Sequence, residues 1–344
     1  MYLAEQELRN QFEALGKSVN CICEKENEIK TFFKDTKSLC VLGCGSSYSV
    51  AKSSALQFSQ KTGVAAYAIA AGDLCVNFES YGKIIDGSTL LVLSRSGSTS
   101  ELVMAAKKCQ EKFNVKIVSI CAVQGSDIGK IADLSFAIPW AFDESICQTR
   151  TVSNLYIGAL LLTAIVSKDK ELVSDIFRIE EKANAFCEKV ENTIEDIGLF
   201  DFQNAVVLAD SGMAGIAEEG SLAFKEICRI NSNFYNVLDV RHGPIVKITD
   251  NTLVLVLISS GNEKLQRELV SDLCSKSDKV VAFECKKTQV SFSCPKTITL
   301  PDCVDDNLSA LFMLYCIQLI TFKHAINLNV NPDKPEGLDA WIKL

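Results

Sequence analysis

The sequence predicts an α/β protein made of two tandem domains, each a parallel sheet flanked by helices. Three observations predict it. Short apolar runs alternate with helix-length segments along most of the 344 residues. Those runs are almost continuously apolar, as strands covered on both faces must be. The alternation also halts at a charged stretch and then begins again, and the length suits two units of ordinary domain size.

Residues 1–33 are expected to be helical, because Leu3, Leu8, Phe12 and Leu15 fall near helical spacing and no glycine precedes position 16. The first domain is expected over 34–165. Its strands are placed at Ser38–Leu42, Val64–Ala70, Thr89–Leu93, Lys116–Cys121 and Leu134–Pro139, with helices such as Ala51–Lys61 and Glu101–Phe113 between them. Residues 166–198 are charged, glycine-poor and helical in period, and read as a connector. The second domain, 199–330, repeats the pattern with strands at Asn204–Ala209, Asn233–Leu238, Thr252–Ile258, Lys279–Glu284 and a weaker Lys296–Leu300, then a long helix at Asn307–Leu328. Residues 331–344 are expected to form a C-terminal tail over the active site. Gly87–Cys109 lines up with Asn251–Cys274, and Val41–Phe58 loosely with Val206–Phe224, at an offset of about 165 residues, which suggests an internal repeat.

With 48% hydrophobic and 23% charged residues the chain can bury a full core, and its net charge of -8 argues against nucleic-acid binding. The 15 cysteines are an odd number set mostly in apolar stretches, and the first residues do not resemble a signal peptide. Reduced thiols and a cytoplasmic location are therefore expected. No apolar run is read as long enough to span a membrane, the longest candidate being Leu155–Val166. With two histidines and no Cys-x-x-Cys pair, no metal site is expected, and no cofactor is assigned. Cys21-x-Cys23 reads as packing, and His324 as a core or helix-surface residue.

Two loops of the first domain carry the chemistry: Leu42-Gly43-Cys44-Gly45-Ser46-Ser47-Tyr48 and Ser94-Arg95-Ser96-Gly97-Ser98-Thr99-Ser100. Each leaves the carboxyl end of an expected parallel strand and opens a helix, where ligands sit in open α/β sheets. Helix starts offer unpaired N–H groups and partial positive charge, so an anion such as phosphate fits there. The hydroxyls of Ser47, Ser94, Ser96 and Thr99 add donors. Gly43-x-Gly45-x-x-Tyr48 lacks the third glycine of the dinucleotide fingerprint, and neither loop has the Gly-Lys-Ser/Thr of a Walker loop. Ser and Thr at helix starts are also ordinary caps. The second domain has Ser211-Gly212 and Ser259-Ser260-Gly261 at the matching places, with fewer hydroxyls. A helical thiol at a loop such as Cys44 could be partly activated by the helix terminus.

The other candidate chemistry lies in EEGSLAFKEICRINSNFYNVLDVRHGP, from Glu218 to Pro244. Glu219 and Glu226 share a helix face but stand roughly 10 Å apart along it, so they are not a contacting dyad. One carboxylate aimed at a cleft suits proton transfer on a small substrate. A solvated glutamate is the competing reading, and His242, followed by Gly-Pro, could equally be a hydrogen-bonded turn residue.

The motifs GCGSSY, SRSGSTSE, DESICQTR, EEGSLAFKE, RHGP and Asn331-Pro332-Asp333-Lys334-Pro335 occur in an order that resembles the sugar isomerase (SIS) family, and in particular the tandem-domain isomerase part of glucosamine-6-phosphate synthase. The resemblance implies two flavodoxin-like SIS domains and a sugar 6-phosphate substrate. It implies phosphate binding by Gly45, Ser46, Ser47, Ser94, Arg95, Ser96 and Thr99, with Glu226 as catalytic base and His242 as ring opener. It further implies a homodimer in which His242 is given across the interface. Cys44, Glu144, Cys147, Thr149, Glu219 and Ala340 are weaker substrate-lining candidates. The synthase has a glutaminase domain ahead of its isomerase part, whereas this sequence starts directly with the helix before the first strand, so no ammonia source is expected. The tail lysine that forms an imine in the synthase aligns with Ala340, with Lys343 three residues on, and a second lysine aligns with Ala223. Amidotransfer is therefore not expected, and Arg241 before His242 is closer to the isomerase and deglycase branches. Three functions follow: an aldose–ketose phosphosugar isomerase, a fructosamine-6-phosphate deglycase using the same base, and a non-catalytic phosphosugar sensor. The last is disfavoured by the presence of both Glu226 and His242.

Overall fold

The computed structural model describes residues 1–285 and 293–339. Its first sheet contains β1 (Ser38–Gly43), β2 (Ala65–Ala70), β3 (Thr89–Ser94), β4 (Lys116–Cys121) and β5 (Leu134–Ala137) in the order β2-β1-β3-β4-β5. The second contains β6 (Asn204–Leu208), β7 (Asn231–Tyr235), β8 (Thr252–Ile258), β9 (Val280–Glu284) and β10 (Lys296–Thr299) in the order β10-β9-β8-β6-β7. Every pairing is parallel. Counted within its own sheet, each follows the same order, 2-1-3-4-5.

Sequence decides which strands are central. All six residues of β3 and all seven of β8 are buried, matching their unbroken apolar runs TLLVLS and TLVLVLI. The edge strands β2 and β10 alternate or expose residues, matching AAYAIA and KTIT. Most strands begin and end within a residue or two of the expected limits. The exception is Asn233–Leu238, whose strand runs Asn231–Tyr235. There the Asp210 carboxylate accepts hydrogen bonds from the Val237 backbone N–H (3.0 Å) and the Asn236 side-chain amide (3.1 Å), drawing the chain out of the ladder.

Residues 1–33 form three helices, Leu3–Arg9, Gln11–Cys23 and Glu26–Phe33. The charged connector forms Lys170–Phe177 and Ile179–Gly198. By contacts, the chain divides into two compact units. One holds the first sheet, with Arg9–Glu144 and Gln148–Glu180; the other holds the second sheet, with Met1–Leu8, Ser145–Cys147 and Glu181–Leu338.

One expectation is corrected. Two helices, Arg150–Ser167 and Asp306–Asn327, are long and apolar enough by length and composition to cross a membrane. Apolar residues on all sides mark a helix buried on all sides, and these are 83% and 89% buried within the protein. Arg150–Ser167 packs on the Ser46–Thr62 helix of its unit, and Asp306–Asn327 on the Ala214–Ile227 helix of the other. The expectation fell short because Ser, Asn and Thr interrupt the apolar run of the first helix, and within the fold these are buried too.

Candidate functional site

In the first sheet the strand order reverses between β1 and β3, and the two pair in register from Leu39↔Thr89 to Leu42↔Val92. Their carboxyl ends are therefore neighbours, and the two serine-rich loops leave the sheet side by side at the reversal, the crevice where open sheets bind ligands. One loop enters the helix Ser46–Thr62 through Gly45 and the other enters Ser100–Lys112 through Thr99, and neither start has a side-chain cap. Gly45 has φ +52° and ψ -125°, a conformation reserved for glycine. Gly97 has φ +60°, and a Cβ there would lie 2.4 Å from Ser126 Oγ.

Ser46, Ser47, Ser94 and Arg95 are buried, while Ser96 and Thr99 are half-buried and Gly45 is exposed. Ser94 Oγ accepts the Gly97 N–H at 2.9 Å, and Ser96 Oγ accepts the Ser98 N–H at 3.2 Å. A hydroxyl that accepts from the backbone still has its own hydrogen to donate, so both serines brace the loop without using up their hydroxyl hydrogens. The structure thus brings Gly45, Ser46, Ser47, Ser94, Arg95, Ser96 and Thr99 to one place.

Cys44 differs from expectation. Burial first, and then the nearby Glu101 carboxylate, push its thiol up to about 11, so the helix terminus does not activate it. Sequence reasoning passed over Glu101 itself. It stands in the first turn of the Ser100–Lys112 helix, and its Oε2 is buried without a hydrogen-bond partner among the described residues. An acidic first turn was visible in the sequence but reads as ordinary dipole compensation.

The DESICQTR stretch is organised by Asp143, another residue the sequence reading did not single out. Its Oδ2 accepts the backbone N–H groups of Thr149 and Thr151, each at 2.8 Å, at the start of the Arg150–Ser167 helix. Arg150 Nε lies 3.7 Å from Oδ1. Burial pushes the Asp143 carboxyl up, and those N–H groups and the guanidinium pull it back part of the way. An acid shortly before a long apolar helix is a recognisable start signal. Of the candidates here, Glu144 is exposed, while Cys147 and Thr149 are buried.

In the second-sheet unit the helix Ala214–Ile227 carries both glutamates. It packs on the Asp306–Asn327 helix and on β6 and β7. Glu219 is buried at 1% exposure and Glu226 is half-buried one residue before the helix ends, with Leu222 and Ile230 also half-buried. The two carboxylates thus occupy different environments, in keeping with their separation along the helix. His242 follows the short 3-10 turn Asp239–Arg241 and is exposed. Arg241 is committed elsewhere: its Nε and Nη2 bind Asp272 Oδ2 at 2.9 and 2.6 Å. His324 is buried and stacks on Phe202, with ring centroids 3.8 Å apart. Ala340 lies outside the described residues. Among the described residues no group of three His, Cys, Asp or Glu side chains could hold a metal ion.

The reversal point of the second sheet is furnished differently. The Ser260 N–H and hydroxyl both donate to Asp306 Oδ2, at 2.8 and 2.7 Å. The Ser259 N–H donates to Gln266 Oε1 at 2.9 Å, and Asn262 caps the Glu263–Cys274 helix by accepting from Leu265 N–H.

The family model for the SIS domain matches residues 32–167. That match spans the first sheet, from β1 to β5. It is 25% identical over 329 residues to the isomerizing glutamine–fructose-6-phosphate aminotransferase of Haemophilus influenzae, covering 91% of this chain and 52% of that protein. The chain spans about half the length of the curated relatives it matches. Among solved structures, its fold is similar to tagatose-6-phosphate ketose/aldose isomerase from Escherichia coli, with a TM-score of 0.86 at 20% identity over 98% of this chain and 96% of that one. It is also similar to the C-terminal domain of glucosamine-fructose-6-phosphate aminotransferase from Francisella tularensis, with a TM-score of 0.82 at 20% identity over 97% and 98%. The two parallel sheets are the fold of these phosphosugar enzymes.

Proposed function

We propose that the chain is an enzyme that interconverts aldose and ketose sugar 6-phosphates. The observation that carries this reading is the pair of helix starts at the first sheet's reversal, uncapped by side chains and ringed by hydroxyls. A phosphate monoester matches that donor set, and the Ser47, Ser94, Ser96 and Thr99 hydroxyls would clamp it. His242 would assist ring opening by moving a proton at the ring oxygen or anomeric hydroxyl. Glu226 would then take the proton from the carbon beside the carbonyl and return one to its neighbour through an enediol, or an enaminol if the sugar carries an amine. Glu226 is half-buried near the end of its helix, a setting that suits a base acting on a bound substrate. The phosphate would convert remote binding into positioning of the reacting carbons. In this reading the exposed His242 serves the site of a second copy in a homodimer. The names of the similar proteins, a ketose/aldose isomerase and isomerizing aminotransferases, support the same chemistry.

The test is Glu226→Gln, assayed on a panel of sugar and fructosamine 6-phosphates with product analysis. The variant should keep substrate affinity while turnover drops roughly a thousandfold. Near-normal turnover would remove Glu226 from the mechanism. Release of an amino acid by the parent protein would replace isomerisation with deglycation.

A further inference from the structure

Cys274 and Cys294 meet where the last two strands of the second sheet begin. Cys274 is the final residue of the Glu263–Cys274 helix, and a short turn then leads into β9. Cys294 stands just before β10, which pairs in parallel with β9 from Lys296↔Val281 onward. The end of the helix and the starts of both strands are therefore neighbours. The side chains meet there too. The Cys294 thiol donates to the carbonyl of Val280, the first residue of β9, at 3.2 Å. The Cys274 thiol reaches the carbonyl of Ser293, the residue before Cys294, at 3.9 Å. The two thiols also hydrogen-bond each other.

Both are free thiols, both are half-buried, and both pack against the second-sheet core. Packing alone accounts for a cysteine such as Cys316, which is fully buried. These two differ because each is partly open to solvent and touches the other, as thiol–disulfide exchange requires. Burial raises both thiols, Cys294 to about 12. Their mutual hydrogen bond acts in opposite senses, lowering Cys274 and raising Cys294. Cys274 is thus the better attacking sulfur, and Cys294 the resolving one.

We propose that Cys274 and Cys294 form a modification site: a reversible dithiol–disulfide pair that exchanges with small-molecule disulfides and, once oxidised, ties the start of β10 to the end of the Glu263–Cys274 helix. The Cys274 thiolate attacks one sulfur of oxidised glutathione, forming a mixed disulfide and expelling a glutathione thiolate, which takes up the proton that Cys274 lost. Cys294 then gives up its own proton and attacks the Cys274 sulfur. That step forms the Cys274–Cys294 bond and expels the second glutathione. Two protein thiols are oxidised, and one glutathione disulfide is reduced to two thiols. β10 is a short edge strand with only Ile298 buried, so it has much to gain from a covalent tether. The site does not depend on the isomerase reading.

The experiment equilibrates the folded full-length protein with mixtures of reduced and oxidised glutathione in mildly alkaline buffer. The samples are quenched with acid, alkylated and mapped by peptide mass spectrometry. In the wild type, Cys274 and Cys294 should lose alkylation together and appear as a cross-linked peptide pair that reductant dissolves. Cys294→Ser should hold glutathione on Cys274, because the resolving thiol is gone. In the oxidised wild type, amide exchange across Lys296–Thr299 should slow about tenfold relative to the reduced form, while β8 stays unchanged. Wild-type thiols that both remain alkylatable, or that end as separate glutathione adducts, overturn the disulfide. An unmodified Cys274 in Cys294→Ser overturns its role as the attacking sulfur. A disulfide that leaves exchange in β10 unaltered overturns the tether.

Discussion

The two sheets are built on one plan and part ways where it matters for ligands. Each runs 2-1-3-4-5, and in each a serine-bearing loop leaves the third strand beside the first. In the first sheet that loop uses its hydroxyls to brace itself and opens a helix without a side-chain cap. In the second, the donors at the same place already have acidic or amide partners: Asp306 for Ser260, Gln266 for Ser259, and the Asn262 cap for the helix. A single carboxylate oxygen bound by a hydroxyl and an amide N–H at 2.7–2.8 Å is chemically close to a phosphate oxygen bound by the same groups. The contrast lies in Ser259 and Ser260, whose backbone N–H groups are already taken by Gln266 and Asp306.

The largest expected effect follows from removing donors on the first sheet. Ser47→Ala together with Ser96→Ala should weaken phosphate binding in calorimetry by roughly ten- to a hundredfold per hydroxyl, the worth of a hydrogen bond to a charged group. Ser259→Ala should leave it unchanged. Equal losses from both changes would break the contrast. Next in size is a stability difference. Gly97→Ala forces a Cβ into Ser126 at φ +60°, and should cost about 2–3 kcal/mol in denaturant unfolding. Gly261→Ala meets only Ser259 Oγ, at 3.3 Å, and should stay within about 0.5 kcal/mol.

A smaller gain is expected from Asp306→Ala. Freeing the Ser260 donors should add a second, weak phosphate site, with dissociation in roughly the millimolar range, and Ser260→Ala in the same background should abolish it. An unchanged stoichiometry in the folded variant would mean that Asp306 is not what closes this site. The smallest effect is in pH. Both histidines lie in the second-sheet unit. Burial lowers the His324 pKa, against the pull of the Gly198 and Phe202 backbone and of Asp201. The unfolded chain therefore takes up the proton first as pH falls. Its contribution to stability is complete above the ordinary value of about 6.5 and declines below it, by at most about 1.4 kcal/mol per pH unit. Thermal unfolding of His324→Phe should be flatter between pH 5 and 7 than that of the parent, roughly one proton's worth.

What could be read from the sequence was local. The unbroken run in β8 and the alternation in β2 report burial residue by residue, and a loop between a strand and a helix shows its serines directly. The phosphate candidates were legible for that reason. Partners far apart in sequence were not. Ser260 and Asp306 are 46 positions apart, and Leu3 and Asp333 are 330 apart, so nothing in either neighbourhood announces the other. The Cys44 thiol was misread for a related reason: its position at a helix start was visible, but the burial and the Glu101 charge that outweigh it come from tertiary packing.

The raised Cys44 thiol also bears on how the protein weathers oxidants. Peroxide attacks the thiolate, and a thiol pushed up to about 11 is ionised in only about one molecule in ten thousand at neutral pH. Kept protonated, it is a poor nucleophile toward peroxide.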